Sequence, residues 1–180
     1  MRYPASVILL TLFALPLRAR IESAGCWLNV PFVRQTRDAC GAACISMVMQ
    51  YWQRQLGTSR SPASNPARIM RELYSRSAHG IYADAMSRYF HQNGFAAYAF
   101  RGNWRALAHD LARGRPLIVA LGPTRGSGPL HYVVVAGIDP AENVVLVNDP
   151  ARRKLLKMDW PRLEKRWKAT GYWTLLALPH

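Results

Sequence analysis

Apolar residues recur at a helical period in the first half of the chain. Across residues 40–53, apolar side chains stand at Ala43, Met47, Val48 and Tyr51, which is the spacing of a helix with one buried face. A stretch rich in Ser, Pro and Gly at 56–66 indicates a loop. Further helical segments are predicted at 67–75, 81–92 and 103–113. The first half is therefore predicted to be mainly helical.

The second half of the chain changes to short apolar runs rich in β-branched residues, which are typical of strands. These runs lie at 116–121, 131–138, 144–148, 154–158 and 172–178. Earlier strands are predicted at 27–33 and 95–100, and a late helix at 159–170. The connections between the late strands are short or rich in turn residues, which favours an antiparallel sheet. Helices followed by strands indicate an α+β fold of two layers.

The start of the chain has the pattern of an export signal. Arg2 is followed by an apolar run of eleven residues at 7–17, which is too short to span a bilayer and suits a signal-peptide core. We expect a signal peptide at 1–25 and one folded domain at 26–180, with an uncleaved amino-terminal anchor as the alternative. The domain is therefore expected to be periplasmic, extracellular or anchored at the outer face of the inner membrane.

The sequence is strongly basic, with 24 Lys and Arg against 10 Asp and Glu in 180 residues. The excess is mostly arginine and is scattered along the chain. A membrane surface or an acidic polymer is therefore a candidate partner, but solubility and overall composition are the interpretation we favour. No basic run is interleaved with aromatic residues, so no nucleic-acid partner is expected. The sequence also has no P-loop signature, so the chain is not an ATPase by itself.

A cysteine stands at the predicted start of the helix at 40–53. Backbone N–H groups and the helix dipole favour a thiolate at that position, and Gly41 lets a substrate backbone approach closely. Gln35 is placed to donate a side-chain N–H to a developing oxyanion, beside the backbone N–H of Cys40. The alternative interpretation of Cys40 is a small buried apolar side chain.

A histidine and an acid lie at the ends of two successive predicted strands. His131 begins an apolar strand after the glycine-rich loop at 122–129, where the rim of an active site is expected. Asp149 ends the next strand, and in an antiparallel pair it lies beside His131 and can fix the tautomer of the imidazole. Each residue also has an ordinary interpretation, because such a histidine is often a core or edge residue and Asn-Asp-Pro is common in turns.

Three segments of the chain, VPFVRQTRDACGAACISMV, HYVVVAGID and VLVNDP, together resemble the bacteriocin-processing, double-glycine-leader cysteine peptidases. The resemblance runs over residues 29–150 and implies a papain-like α+β fold, with the nucleophile at a helix start packed on an antiparallel sheet that carries the histidine and the acid. In that family the catalytic set is a Gln before Cys-Gly, the Cys, the His of His-Tyr-Val-Val-Val and the Asp of Asp-Pro. These positions correspond to Gln35, Cys40, His131 and Asp149.

The resemblance implies a cysteine peptidase that needs no metal or organic cofactor and acts on a peptide or protein substrate. The best-known members are cytoplasmic amino-terminal domains of peptide-exporting ABC transporters, which cleave a leader after Gly-Gly. This chain is more similar to a stand-alone exported member, monomeric, with a separately encoded peptide-export transporter as a candidate partner. Two alternatives stay open: a non-catalytic papain-like module that binds a peptide, and an amidase or transpeptidase acting on cell-wall peptides.

The remaining cysteines and histidines have weaker interpretations. Cys44 shares a helix face with Cys40 and is interpreted as a buried small residue. A disulfide between Cys26 and Cys44 is left open for an oxidising compartment. Lipidation of Cys26 is not expected, because Ser23 stands where lipoprotein signals have a large aliphatic residue. No metal site is predicted, since the other histidines show no ligand spacing; they are His79, His91, His109 and His180.

Overall fold

The structure, a computed structural model, describes residues 25–124 and 128–180. The predicted signal peptide or anchor at 1–25 lies outside these residues except for Gly25, so it stays a prediction. Among the described residues, no helix is long and apolar enough to cross a membrane.

The predicted helices are present, with ends shifted by a few residues. They are α1 (Cys40–Gln55), α2 (Pro66–Leu73), α3 (Ala83–Gln92), α4 (Trp104–Leu111) and α5 (Trp160–Lys168). The predicted loop before α2 contains a short 3₁₀ turn, Pro62–Ser64. The Asn103 side chain caps α4 by accepting from the Ala106 N–H, as its sequence position predicted.

The strands form one antiparallel sheet. They are β1 (Cys26–Trp27), β2 (Phe95–Arg101), β3 (Leu117–Leu121), β4 (His131–Asp139), β5 (Val144–Asn148), β6 (Leu156–Asp159) and β7 (Trp173–Pro179). The order across the sheet is β2-β7-β3-β4-β5-β6, and β1 pairs with β4 beside that path. All of these pairs are antiparallel, so the predicted α+β fold with an antiparallel sheet is confirmed.

Helices cover both faces of this sheet, so the expected two layers are in fact three. On one face, Tyr132 and Val134 of β4 pack in a core with α1, α2 and α3. On the other face, Val133 packs in a second core with Leu107 of α4 and Trp167 of α5. The residues of β4 are apolar on both faces of the sheet, so the strand is buried on both sides. A strand of this kind needs a layer of helices on each face.

The first strand is shorter than predicted, because the chain leaves the sheet early. The Leu28 N–H still donates to the Ala136 carbonyl at 2.7 Å. Pro31 has no N–H to offer a ladder, and the carbonyls of Val30 and Pro31 instead accept from the Asn148 side chain. The predicted strand at 27–33 is therefore Cys26–Trp27 followed by an extended segment that runs along the end of β5.

Candidate active site

Segments that are distant in sequence converge at one end of the sheet. β4 begins at His131, which is paired with Leu121 at the end of β3. β5 ends at Asn148 opposite Val134, so the next residue, Asp149, lies level with the start of β4. The antiparallel pairing expected between the two strands is therefore the one that the structure has.

The His131 and Asp149 side chains are hydrogen-bonded to each other. Nε2 of His131 lies 2.8 Å from Oδ1 of Asp149, and the two side chains are 20% and 5% exposed. The same carboxylate oxygen accepts from the Ala151 N–H at 3.0 Å. This bond fixes the orientation of the imidazole and occupies Nε2. The other ring nitrogen, Nδ1, is therefore available to interact with Cys40.

The pKa of His131 is set by competing effects. Burial alone would lower this pKa, but the hydrogen bond to Asp149, the Cys40 thiol and the negative charge of both raise it to about 9. Burial would raise the pKa of Asp149, but the hydrogen bond and charge of His131, the Ala151 N–H and the charge of Arg152 lower it. The geometry therefore favours an ionised carboxylate beside a protonated imidazole.

Cys40 is the first residue of α1, where the sequence predicted the helix start. A turn closed by the Ala39 N–H and the Thr36 carbonyl precedes it, and Asp38 in that turn has φ 57°, a conformation that Asp tolerates better than most residues. In this described segment no side chain caps the helix at Ala39. The backbone N–H of Cys40 therefore points from an uncapped, electropositive helix end.

Gly41 has a packing role that the sequence interpretation missed. A Cβ at this position would lie 3.2 Å from the Ile81 Cβ and 3.5 Å from Cδ2 of Tyr132. Gly41 is buried, so it allows α1 to pack closely against Ile81, just before α3. Burial and the charge of Cys40 raise the pKa of Tyr132 to about 12, so its phenol stays protonated beside the site.

Gln35 is held at the same end of the sheet. Its backbone N–H donates to the Pro150 carbonyl at 3.0 Å, directly after Asp149. Its side-chain oxygen is buried and has no hydrogen-bond partner among residues 25–124 and 128–180. A buried acceptor without a hydrogen bond costs about 1–3 kcal/mol of stability.

Asn148 links the segment before Gln35 to the strand that ends beside Asp149, and the sequence interpretation missed it. Its Nδ2 donates to the carbonyls of Val30 and Pro31 at 3.2 and 3.4 Å, and its Oδ1 accepts from the Leu155 N–H at 2.9 Å. Asn148 is fully buried. The only sequence signal was Asn-Asp-Pro, which also occurs in ordinary turns.

The other cysteines lie apart from each other. Burial raises the pKa of Cys44 well above its usual value, and the charges of Cys40 and Asp149 add to that effect. Cys26 pairs with Ile138 in β1, at the opposite end of β4 from His131. All three cysteines are free thiols, so the disulfide left open between Cys26 and Cys44 does not form. Among the described residues, no group of His, Cys, Asp and Glu is arranged to hold a metal ion.

A nucleophile candidate at a helix start, facing a buried histidine–acid pair across the end of an antiparallel sheet, is the architecture of a papain-like peptidase. Residues 27–175 match the Peptidase C39-like family, and the chain belongs to that family. The expected family resemblance is therefore confirmed, and family and fold together indicate a peptidase. No curated protein matches the sequence at a significant level.

Solved structures of the same fold include a C39-like peptidase and peptidases that belong to transporters. A putative C39-like peptidase from Bacillus anthracis is 16% identical, with a TM-score of 0.64 over 87% of this chain and 98% of that chain. The peptidase domain of Streptococcus ComA, a bi-functional ABC transporter involved in quorum sensing, is 23% identical, with a TM-score of 0.64 over 84% and 100%. A double glycine motif protease from an AMS/PCAT transporter, in complex with its leader peptide, is 19% identical, with a TM-score of 0.62 over 86% and 95%.

Proposed function

We propose that the protein is a cysteine peptidase in which Cys40 is the nucleophile, His131 its base and acid, and Asp149 the group that orients the imidazole. The observation that carries this proposal is the part-buried 2.8 Å bond between His131 and Asp149, on a ring that also contacts the Cys40 thiol. A binding module that only holds a peptide needs neither a thiol at an uncapped helix end nor an oriented imidazole.

The proposed reaction transfers an acyl group to water. The Cys40 thiolate attacks the peptide carbonyl carbon, and the electron pair of the C=O bond moves to oxygen, which the Cys40 N–H and the Gln35 side-chain amide hold. The C–N bond then breaks and the amine takes a proton from His131, which leaves a thioester. His131 accepts a proton from the attacking water, and the thiolate departs to release the acid.

The substrate class is proposed from the family relationship, and the setting from the start of the sequence. Peptides are the proposed substrates, cleaved in the manner of the double-glycine peptidases. Export of the domain to the outside of the cytoplasm is proposed from residues 1–17, and a separately encoded peptide exporter is a proposed partner. An amidase or transpeptidase acting on cell-wall peptides would use the same residues, so a substrate panel containing both peptide classes separates the two.

The catalytic assignment predicts a pH profile for alkylation of Cys40. Iodoacetamide should label Cys40 well below pH 7, where an ordinary cysteine with a pKa of about 8.5 is almost fully protonated. The reason is that His131, whose pKa is raised to about 9, holds a proton throughout that range and stabilises the thiolate. Mass spectrometry of the labelled peptide, at a series of pH values, measures the profile.

The matched control is His131→Ala, in which the imidazolium is absent and labelling at acidic pH should largely disappear. Peptidase activity is limited at the alkaline end of the pH range. It should fall as pH rises through about 9, because His131 then has no proton to give to the leaving amine. Labelling of Cys40 that appears only in alkaline solution, in the intact protein, contradicts the catalytic assignment.

Gln35→Ala should lower kcat by about 100- to 1,000-fold while leaving KM nearly unchanged, because an oxyanion donor acts mainly in the transition state. The Gln35 backbone bond to Pro150 does not depend on its side chain, so the segment keeps its place in the variant. Steady-state kinetics on a cleaved peptide measure the split. An unchanged kcat would remove Gln35 from the oxyanion site.

A further inference from the structure

Arginine side chains gather around the proposed catalytic pair from two directions. Arg152 follows Asp149 closely, and its carbonyl accepts from Nη2 of Arg34 at 3.2 Å. Arg166 on α5 donates from Nε to the Gly122 carbonyl at 2.9 Å, immediately after β3 ends beside the start of β4. Arg162 stands one turn before Arg166 on α5, and its charge acts on Arg166. The arginine cluster, as we call it, consists of Arg34, Arg152, Arg162 and Arg166.

The arginine cluster has no carboxylate partner among the described residues. The ion pairs of arginine in residues 25–124 and 128–180 lie elsewhere, and they are Arg68–Glu72, Arg88–Asp84 and Arg115–Asp110. The negative charge that acts on Arg166 is that of Asp149, which is already bound to His131 and to the Ala151 N–H. The positive charge at this end of the sheet is therefore largely uncompensated.

The effect of this uncompensated charge is clearest in the lowered pKa of Arg166. Its side chain is partly buried, and burial lowers its pKa; the charges of Arg162 and Arg152 lower it further, against the opposing effect of Asp149. Nε is held by the Gly122 carbonyl, so the Nη groups remain to bind a ligand. Several guanidinium groups without a carboxylate partner, beside a proposed catalytic pair, are suited to bind an anionic group of the ligand.

We propose that Arg152 and Arg166 form a subsite that binds the carboxylate of an acidic residue in the substrate peptide, beside His131. The identity of the ligand as a peptide rests on the proposed function. A carboxylate matches the planar fork of a guanidinium, and a charge-assisted bond of this kind is about twice as strong as a neutral one. The subsite would select acidic segments among peptides that otherwise fit the site.

A membrane headgroup is the competing anion, and the position of Arg166 disfavours it. Arg166 is partly buried between α5 and the end of β3, whereas lipid-binding side chains stand out on an exposed face. A substrate side chain is therefore the occupant that the location favours.

The test is a binding measurement that does not use the thiol. Cys40→Ala protein is titrated into two short fluorescent peptides that are identical except that one carries Glu where the other carries Gln. Fluorescence anisotropy at low ionic strength should show the Glu peptide binding about tenfold more tightly, as expected for one or two charge-assisted hydrogen bonds. Adding Arg152→Gln and Arg166→Gln should abolish that preference.

The control double variant removes the same charge at the other end of the molecule. Arg54 is in the last turn of α1, about 20 Å along the helix from Cys40. Arg113 precedes Gly114, whose carbonyl accepts from the Tyr51 hydroxyl near that same helix end. Arg54→Gln with Arg113→Gln should keep the tenfold preference, and exposed Arg152→Gln alone should weaken it without disturbing the fold.

Several results would overturn the subsite. Equal binding of the two peptides, no binding of either, or an equal loss of preference in both double variants each contradicts it. A fourth result also contradicts it: the Arg152→Gln/Arg166→Gln protein loses binding to phosphatidylglycerol vesicles but keeps its preference for the Glu peptide. The arginine cluster would then bind a membrane. Because this assay needs no catalysis, its failure is distinct from failure of the Cys40 labelling test.

Discussion

Replacing Cys40 with alanine should reduce kcat for peptide hydrolysis by roughly 10⁶-fold, leaving only the rate that binding and the oxyanion donors supply. The proposed mechanism forms a thioester, and alanine has no atom that can form it. The oriented His131–Asp149 pair would remain, but without a thiol it has no nucleophile to serve. Sensitive detection of the cleaved peptide by mass spectrometry measures the residual rate.

Cys44→Ala is the matched control, because Cys44 lies one helical turn further along α1 and is fully buried. Its thiol has no access to substrate, and burial raises its pKa, so it is a poor nucleophile. Removing one buried sulfur should cost stability without changing kcat beyond a fewfold. An active Cys40→Ala protein, or a folded Cys44→Ala protein as inactive as Cys40→Ala, contradicts the assignment of the nucleophile.

The sequence predicted those parts of the fold that depend on local patterns. The apolar spacing within α1 and the continuous apolar run of β4 are properties of neighbouring residues, and both elements have the predicted type. The antiparallel pairing of β4 with β5 followed from their short connection, and it brings Asp149 to His131. The meeting of that pair with Cys40 came from the family resemblance, because no local pattern fixes how α1 packs on the sheet.

The features that the sequence missed all depend on contacts between distant segments. The predicted first strand is shortened because Asn148, from the other half of the chain, takes the carbonyls of Val30 and Pro31. The third layer exists because α4 and α5 cover the second face of the sheet. Apolar periodicity predicts that each of these helices has a buried face, but not which face of the sheet the helix covers. The arginine cluster is also invisible in sequence, since Arg34 joins Arg152, Arg162 and Arg166 from the other end of the chain, and no local pattern brings α5 to the residue after β3.

Asp149→Ala should lower kcat by about 10³- to 10⁴-fold, because the imidazole then loses both the bond that fixes its tautomer and the charge that favours its protonation. Asp149→Asn separates these contributions. Its amide oxygen can still accept from Nε2 of His131 and from the Ala151 N–H, so orientation is largely kept while the negative charge is removed. We therefore expect a smaller loss of kcat in Asp149→Asn than in Asp149→Ala.

The pH dependence distinguishes orientation from charge more sharply than the rate does. Asp149 is a principal cause of the raised pKa of His131, so in Asp149→Asn this pKa should fall from about 9. The alkaline limb of kcat/KM should then move to lower pH, since the imidazolium persists over a narrower range. A full pH–rate profile of both variants measures this. An unshifted alkaline limb in Asp149→Asn would mean that His131 owes its protonation to other charges, and that Asp149 acts by orientation alone.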